Sequence, residues 1–456
     1  MKKASDFGFA PGNAPEVNSA ALNAAVQGGG TVLVDGVGVA DVREPVVLGD
    51  NTTLEFENGL QLRRNRCPDG ETGYVFVNEG AFSGRTNHRI RLRGLSLICN
   101  GVECSSRAVQ TDRCVPGLRG HLAFYHVKDL AIEDFETYDM PAQDFGIHVC
   151  TFENLRVENV TIEGRKDGVH LGRGKRFVIR HGLFRTFDDP IALNAHDYAS
   201  SNPELGWIED GCIEDCYDLN DRDTVGYFCR ILAGSWVDWF PGMQVQHSDT
   251  VVHDHRLYRV YMEPDGTVYT SVTPPTHTHG TAEVDGIRWV MVQTGDEHSC
   301  GCRNIHFRDI YLQKDRPVAF SIHFDKDDWS RSVYPNSDMP VQSGITFENI
   351  HISGNVPTFL HARTPVDAVR LVRTELGGST ISLCDVETPG VHYVPTAVLL
   401  DGCTVQPGAQ PLLEVTGSRT ATLRAANTTL LPSAHPVQVA GAVAVGENDL
   451  GLAQTK

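Results

Sequence analysis

Short runs of alternating apolar and polar residues recur along this chain at a nearly constant interval. Lys128-Asp-Leu-Ala-Ile-Glu-Asp-Phe135, Glu153-Asn-Leu-Arg-Val-Glu-Asn-Val160 and Lys175-Arg-Phe-Val-Ile-Arg-His-Gly182 are three successive copies, 25 and 22 residues apart. His88-Arg-Ile-Arg-Leu-Arg-Gly-Leu-Ser-Leu97 precedes them, and Glu209-Asp-Gly-Cys-Ile-Glu-Asp-Cys216 is a weaker copy. Arg303-Asn-Ile-His-Phe-Arg-Asp-Ile310 and Ser343-Gly-Ile-Thr-Phe-Glu-Asn-Ile350 return to the pattern. Each copy holds short period-2 strands around an Asn, Asp or His-Gly corner. An interval near 22 is too long for one helix or strand and suits one coil of a solenoid, whose coils stack about 4.8 Å apart. The pattern predicts an all-β chain, a single parallel β-helix domain over 1–456.

Two departures refine this. Residues 16–26, Glu-Val-Asn-Ser-Ala-Ala-Leu-Asn-Ala-Ala-Val, predict a helix capped by Asn18 or Ser19. It is expected to cap the open N-terminal end of the solenoid. Residues 217–300 interrupt the repeats and hold Trp236, Trp239 and Trp289. They are expected to form a β-rich insertion that walls the binding cleft, with a hairpin turn in Met262-Glu-Pro-Asp-Gly-Thr-Val-Tyr-Thr270.

Three segments align at a strict 22-residue step: Asp144-Phe-Gly-Ile-His-Val149, Lys166-Asp-Gly-Val-His-Leu171 and Asp188-Asp-Pro-Ile-Ala-Leu193. Ile147, Val169 and Ile191 then share one inward column, and Val149, Leu171 and Leu193 another. His148, His170 and Ala192 fall in the outward column, which Asn194 and His196 continue. The same register stacks Asp144, Lys166 and Asp188 and sets Asp189 over Asp167. Carboxylates one strand spacing apart cannot all ionise cheaply, so such a group suits acid–base chemistry. Aspartate also favours turns. Three aspartates in register beside two outward histidines favour function over turn formation. The chemistry that needs one protonated and one ionised carboxyl is glycoside hydrolysis.

Composition narrows the partners. The chain has 456 residues, 41% hydrophobic and 8% aromatic, enough for a large core. A formal charge of −19 argues against nucleic acid and anionic membranes as partners. No apolar run is long enough to span a bilayer. The first residues lack the apolar core of a signal peptide, so the expected location is cytoplasmic, or secreted with the signal removed. Twelve cysteines form no clear framework. Cys212/Cys216 and Cys300/Cys302 lack a second zinc knuckle, so neither metal nor cofactor is expected. Oligomeric state leaves no mark in the pattern.

The Lys166-Asp-Gly and Asp188-Asp-Pro-Ile-Ala-Leu193 pair resembles glycoside hydrolase family 28, the polygalacturonase group of right-handed parallel β-helices. That family carries Asn-Thr-Asp and then Gly-Asp-Asp-Cys-Ile-Ala-Ile at the same spacing. Asp6-Phe-Gly, Leu22-Asn-Ala-Ala-Val26, Gly29-Gly-Thr-Val-Leu33 and Asn51-Thr-Thr-Leu54 resemble the N-terminal cap of the wider pectate-lyase-like superfamily. The resemblance implies a right-handed coil, Asp188 as general acid, Asp167 and Asp189 holding the water, and inversion at the anomeric carbon. Lys166 stands where the family has Thr, and Phe187 where it has Gly. The family's Gly-His-Gly is replaced by Asp210-Gly211, and its Arg-Ile-Lys is echoed only in Arg230-Ile-Leu232. The candidate substrate-binding residues are therefore His148, Lys166, His170, Asn194, His196 and Arg230, on a neutral or acidic glycan. The alternatives are a polysaccharide lyase, with a calcium ion on the aspartates, and a non-catalytic carbohydrate-binding solenoid.

Overall fold

The computed structural model describes residues 1–105, 110–221 and 224–455. The chain folds as a right-handed parallel β-helix with an N-terminal helix and a β-rich insertion. It divides into two compact units. One comprises Met1–Ala192, Ser200–Pro203 and Asp210–Gly226. The other comprises Leu193–Ala199, Glu204–Glu209 and Tyr227–Lys456.

In the first unit the helix spans Pro15–Val26. Its start differs from the sequence expectation. Pro15 opens it, with a preset φ and no N–H to satisfy, and no side chain caps it. Asn18 and Ser19 are buried inside the helix and tie it to the first coil. Ser19 Oγ accepts the N–H groups of Arg43 and Glu44 at 3.0 and 3.2 Å, and Asn18 Nδ2 donates to the Asp41 carbonyl at 3.1 Å. Ala21, Leu22, Ala25 and Val26 complete the buried face.

The repeats pair in the expected register. Leu130 lies beside Leu155 and Leu155 beside Phe177; Ile132 lies beside Val157 and Val157 beside Ile179. The corners adopt left-handed backbone at Asp129, Asn154 and Arg176, with φ of 59°, 59° and 57°. Asn and Asp tolerate this region best, and here they also bond along the stack. Asn154 Nδ2 donates to Asp129 Oδ1, and Asn159 Nδ2 to Asp134 Oδ1, both at 2.7 Å.

In the second unit Cys229–Leu232 pairs in parallel with Val318–His323, which pairs in turn with Thr358–Ala362. Phe320 packs against Phe307, Phe347 and Phe359 at ring distances of 5.1, 4.7 and 5.2 Å. Residues 237–294 leave the coils as a separate sheet made of Val237–Asp238, Thr250–His253, Arg256–Val260, Thr281–Val284 and Ile287–Thr294. Trp289, Tyr258, Val251 and Ile287 fill its core. The expected hairpin is placed differently. Tyr269–Ser271 pairs antiparallel with Met243–Val245, and the tight hairpin turns at Asp254-His255, where both residues have positive φ.

None of the twelve cysteines forms a disulfide, and ten are buried. No helix among the described residues is long and apolar enough to cross a membrane.

Candidate active site

The carboxylate cluster lies in the first unit and is built by coil stacking. Ile147 pairs with Val169, His148 with His170 and Val149 with Leu171. The Gly146 N–H donates to the Asp167 carbonyl at 3.0 Å, and the Gly168 N–H to the Asp189 carbonyl at 2.9 Å. Asp189 therefore sits one coil beyond Asp167. Gly168 allows the coils to close here, since a Cβ would lie 2.7 Å from the Pro190 carbonyl oxygen and 2.9 Å from the Phe184 ring.

Asp167, Asp188 and Asp189 each offer a carboxylate oxygen within 4.8 Å of the others. Asp167 and Asp189 are buried, while the Asp188 side chain keeps 20% exposure. Lys166 Nζ donates to Asp188 Oδ2 and lies 3.5 Å from Asp167 Oδ1. His170 Nδ1 is 2.9 Å from Asp167 Oδ2 and orients that carboxylate. The His170 ring stacks on Phe145 at 3.9 Å. Three carboxylates at this spacing also form a donor set that a hard cation would accept. Lys166 brings a positive charge to the same oxygens.

The structure corrects the outward column. His148, His170, Asn194 and His196 are fully buried, not presented to solvent. Strand alternation assigned them to the outer face of the coil, but further chain covers that face. His148 shows how: its Nδ1 accepts the Arg119 N–H at 2.9 Å, and the Arg119 guanidinium binds Ser201 at 2.8 Å and lies over the Phe145 ring. Burial, together with the His170 and Arg119 charges, holds the His148 imidazole well below its usual range. Asp144 does not join the cluster. Its Oδ2 accepts the Cys104 N–H at 2.6 Å and Arg64 Nη1 at 3.3 Å, which serves a fully buried guanidinium.

The remaining candidates lie in the second unit. Asn194 Nδ2 donates to Asp197 Oδ2 at 2.6 Å, and Arg230 Nη2 lies 3.6 Å from the same oxygen. His196 faces Thr250, with Nε2 3.5 Å from its Oγ1. His323 and Asp325 form a half-buried pair at 3.2 Å. Burial pushes the Asp325 carboxyl up, but the His323 hydrogen bond and the His323 and Arg230 charges outweigh it and hold it at about 2.

Sequence reasoning missed Asp197, His323, Asp325, Arg119 and Gly226. The signal for the first was a carboxylate one residue beyond His196. For His323 and Asp325 it was a polar pair closing the Val318–His323 strand. Gly226 carried no signal. Its φ is +74°, and a Cβ there would lie 2.6 Å from Asp188 Oδ1 and nearer still to Asp189 Oδ1. Gly226 backbone thus closes directly over two carboxylates. Gly226→Ala should cost about 1–2 kcal/mol in backbone strain. By displacing the carboxylates it should lower kcat about 100-fold. Turnover and thermal melts of the variant measure both; an unchanged kcat would remove Gly226 from the site.

No protein-family model matches this chain, and no curated protein matches it in sequence. Solved structures do resemble it. The pre-mature bacteriophage phi29 gene product 12 aligns with a TM-score of 0.51 and 10% identity, over 97% of this chain and 55% of that one. The Yersinia enterocolitica family 28 exopolygalacturonase aligns with a TM-score of 0.45 and 12% identity, over 97% and 78%. The A-module of the Azotobacter vinelandii mannuronan C-5 epimerase aligns with 0.44 and 11%, over 98% and 100%. At these identities the likeness is one of fold, a right-handed parallel β-helix.

Proposed function

We propose that this protein is a glycosidase that hydrolyses a poly- or oligosaccharide by acid–base catalysis at Asp167, Asp188 and Asp189. The observation that carries the reading is the meeting of three carboxylates within 4.8 Å on stacked coils, with His170 orienting one and Lys166 another. Asp188, the most exposed of the three, protonates the glycosidic oxygen as the bond to the anomeric carbon breaks. Asp167 and Asp189 hold the attacking water between them and accept its proton. Oxygens within 4.8 Å can share one water, since each hydrogen bond spans about 2.7 Å. This separation is shorter than the about 6.5–9.5 Å of a two-carboxylate inverting site. Here a pair of carboxylates shares the water, and attack is direct, with inversion.

Buried His170 is a positioning residue, and buried His148 packs beside it without touching sugar. Lys166, partly exposed beside the cluster, is the proposed contact to substrate. The solved carbohydrate-active neighbours agree with a carbohydrate substrate.

The test is a panel of oligogalacturonides and neutral galacto-oligosaccharides, with products read by mass and by NMR of the anomeric proton. Addition of one water per bond, with inverted configuration, is expected. An unsaturated product absorbing in the ultraviolet would replace hydrolysis by elimination. Retained configuration would remove the water-holding role, and binding without turnover would remove catalysis.

A further inference from the structure

The second unit contains a buried cation without a hydrogen-bonding partner on one edge. Arg259 lies on the Arg256–Val260 strand of the insertion sheet, opposite Thr250, and is 1% exposed. Its Nε and Nη2 are both buried, and neither reaches an acceptor among the described residues. A buried donor left unmade costs about 1–3 kcal/mol, and more when charged. Two on one guanidinium therefore call for an occupant.

The identity of the two atoms specifies its chemistry. Nε–H and Nη2–H lie parallel along one edge of the guanidinium plane. They match the two oxygens of a carboxylate, which accepts both in a fork. A single water can bridge the two donors only with bent hydrogen bonds, whereas a carboxylate accepts both along their N–H axes. Among the described residues no carboxylate oxygen reaches that edge within hydrogen-bonding distance. Asp197 acts on Arg259 through its charge, but its oxygens are engaged by Asn194, the Tyr198 N–H and Arg230. Burial pulls the guanidinium down to about 10, against Asp197, so it stays charged at neutral pH.

A second orphan lies close by. His196 is fully buried, and its Nδ1 has no partner among the described residues, while Nε2 faces Thr250 Oγ1, on the residue that pairs with Arg259. Burial and the Arg259 charge hold the imidazole well below its usual range, so the ring is neutral and has one N–H to give. In the tautomer that carries the proton on Nδ1, that N–H is a third donor beside the Arg259 edge.

We propose that Arg259, assisted by His196, is a binding site for one carboxylate group, held side-on by Nε and Nη2. The carboxylate belongs either to a small free acid or to a uronate of a glycan. The site goes beyond the hydrolytic reading and does not use the aspartate cluster.

The test uses the full chain, first dialysed into carboxylate-free buffer. Binding of sodium acetate, D-galacturonate and neutral galactose is measured by titration calorimetry and by thermal melts, with ionic strength kept constant with sodium chloride. Acetate or galacturonate is expected to bind and to raise Tm with concentration, while galactose does neither. Binding of both assigns a general carboxylate site, and binding of galacturonate alone assigns a uronate subsite. Arg259→Lys keeps the charge but loses the fork, and should weaken binding at least tenfold with an unchanged circular dichroism spectrum. Absence of binding by either acid to the unmodified protein overturns the proposal. Undiminished binding by a folded Arg259→Lys variant overturns it too. Because the readout is binding, failure here leaves glycoside hydrolysis standing, and failure of hydrolysis leaves this site standing.

Discussion

Asp188→Asn should abolish hydrolysis while leaving the fold in place. The substitution keeps the shape of the side chain and its hydrogen bond from Lys166, but removes the proton that the leaving oxygen must receive. General acid catalysis contributes about 10²–10⁴-fold, so kcat should fall by about 1,000-fold on the substrate found in the product screen. The side chain is partly exposed, so Tm should move little. Asp167→Asn should differ in kind. That carboxylate is buried and bonded to His170, so its loss should cost activity and also stability, by about 1–3 kcal/mol. Combining the two should cost little more activity than either alone, as expected of groups that act as a unit. An Asp188→Asn protein that remains fully active would refute the assignment of the acid.

Stability should fall steeply as pH drops below about 6.5. Three of the fully buried histidines, His121, His148 and His196, are held below their usual range. Burial is the first cause that lowers each. The Arg64 charge adds to it at His121, the His170 and Arg119 charges at His148, and the Arg259 charge at His196. His121 is held at about 3. A histidine depressed in the folded state takes up its proton on unfolding, so the unfolded chain binds more protons below its own pKa. The stability these rings provide is therefore complete above about 6.5 and is lost as pH falls toward their folded values. Each contributes about 1.4 kcal/mol per pH unit at full slope, or about 4 kcal/mol per unit for three. Burial raises the carboxyls of Asp197 and Asp249, and their protonation in the folded state limits the loss at lower pH. Urea unfolding at pH 7.5, 6.5 and 5.5 measures the slope. His148→Gln, whose amide oxygen can still accept the Arg119 N–H, should remove about a third of it. A flat profile would mean that these rings are solvated.

The coil was legible because it rests on local alternation and a constant interval. The pairing of Leu130, Leu155 and Phe177, and of Ile147 with Val169, follows from those two features alone. The stacking of Asp189 on Asp167 was legible for the same reason. The state of the outward column was not. Alternation tells which side of a strand a residue takes, not what covers that side, and His148 is bonded by Arg119, whose guanidinium Ser201 holds. Asn18 and Ser19 suited capping by type, yet Pro15 begins the helix earlier and leaves both to bond the first coil. The hairpin expected near Asp265-Gly266 failed because Tyr269–Ser271 found its partner at Met243–Val245, a choice no local signal encodes.

By itself the sequence determined a parallel β-helix, its N-terminal helix, the departure of a β-rich insertion, and three aspartates brought into register. Each follows from side-chain period and coil length, which need no knowledge of distant chain. Only the tertiary structure decided that Lys166 bonds Asp188, that His170 holds Asp167, that Gly226 closes over the pair, and that Arg259 is buried with one edge unpaired. Those outcomes depend on which segments cover which faces, and covering sets burial, partner and charge together.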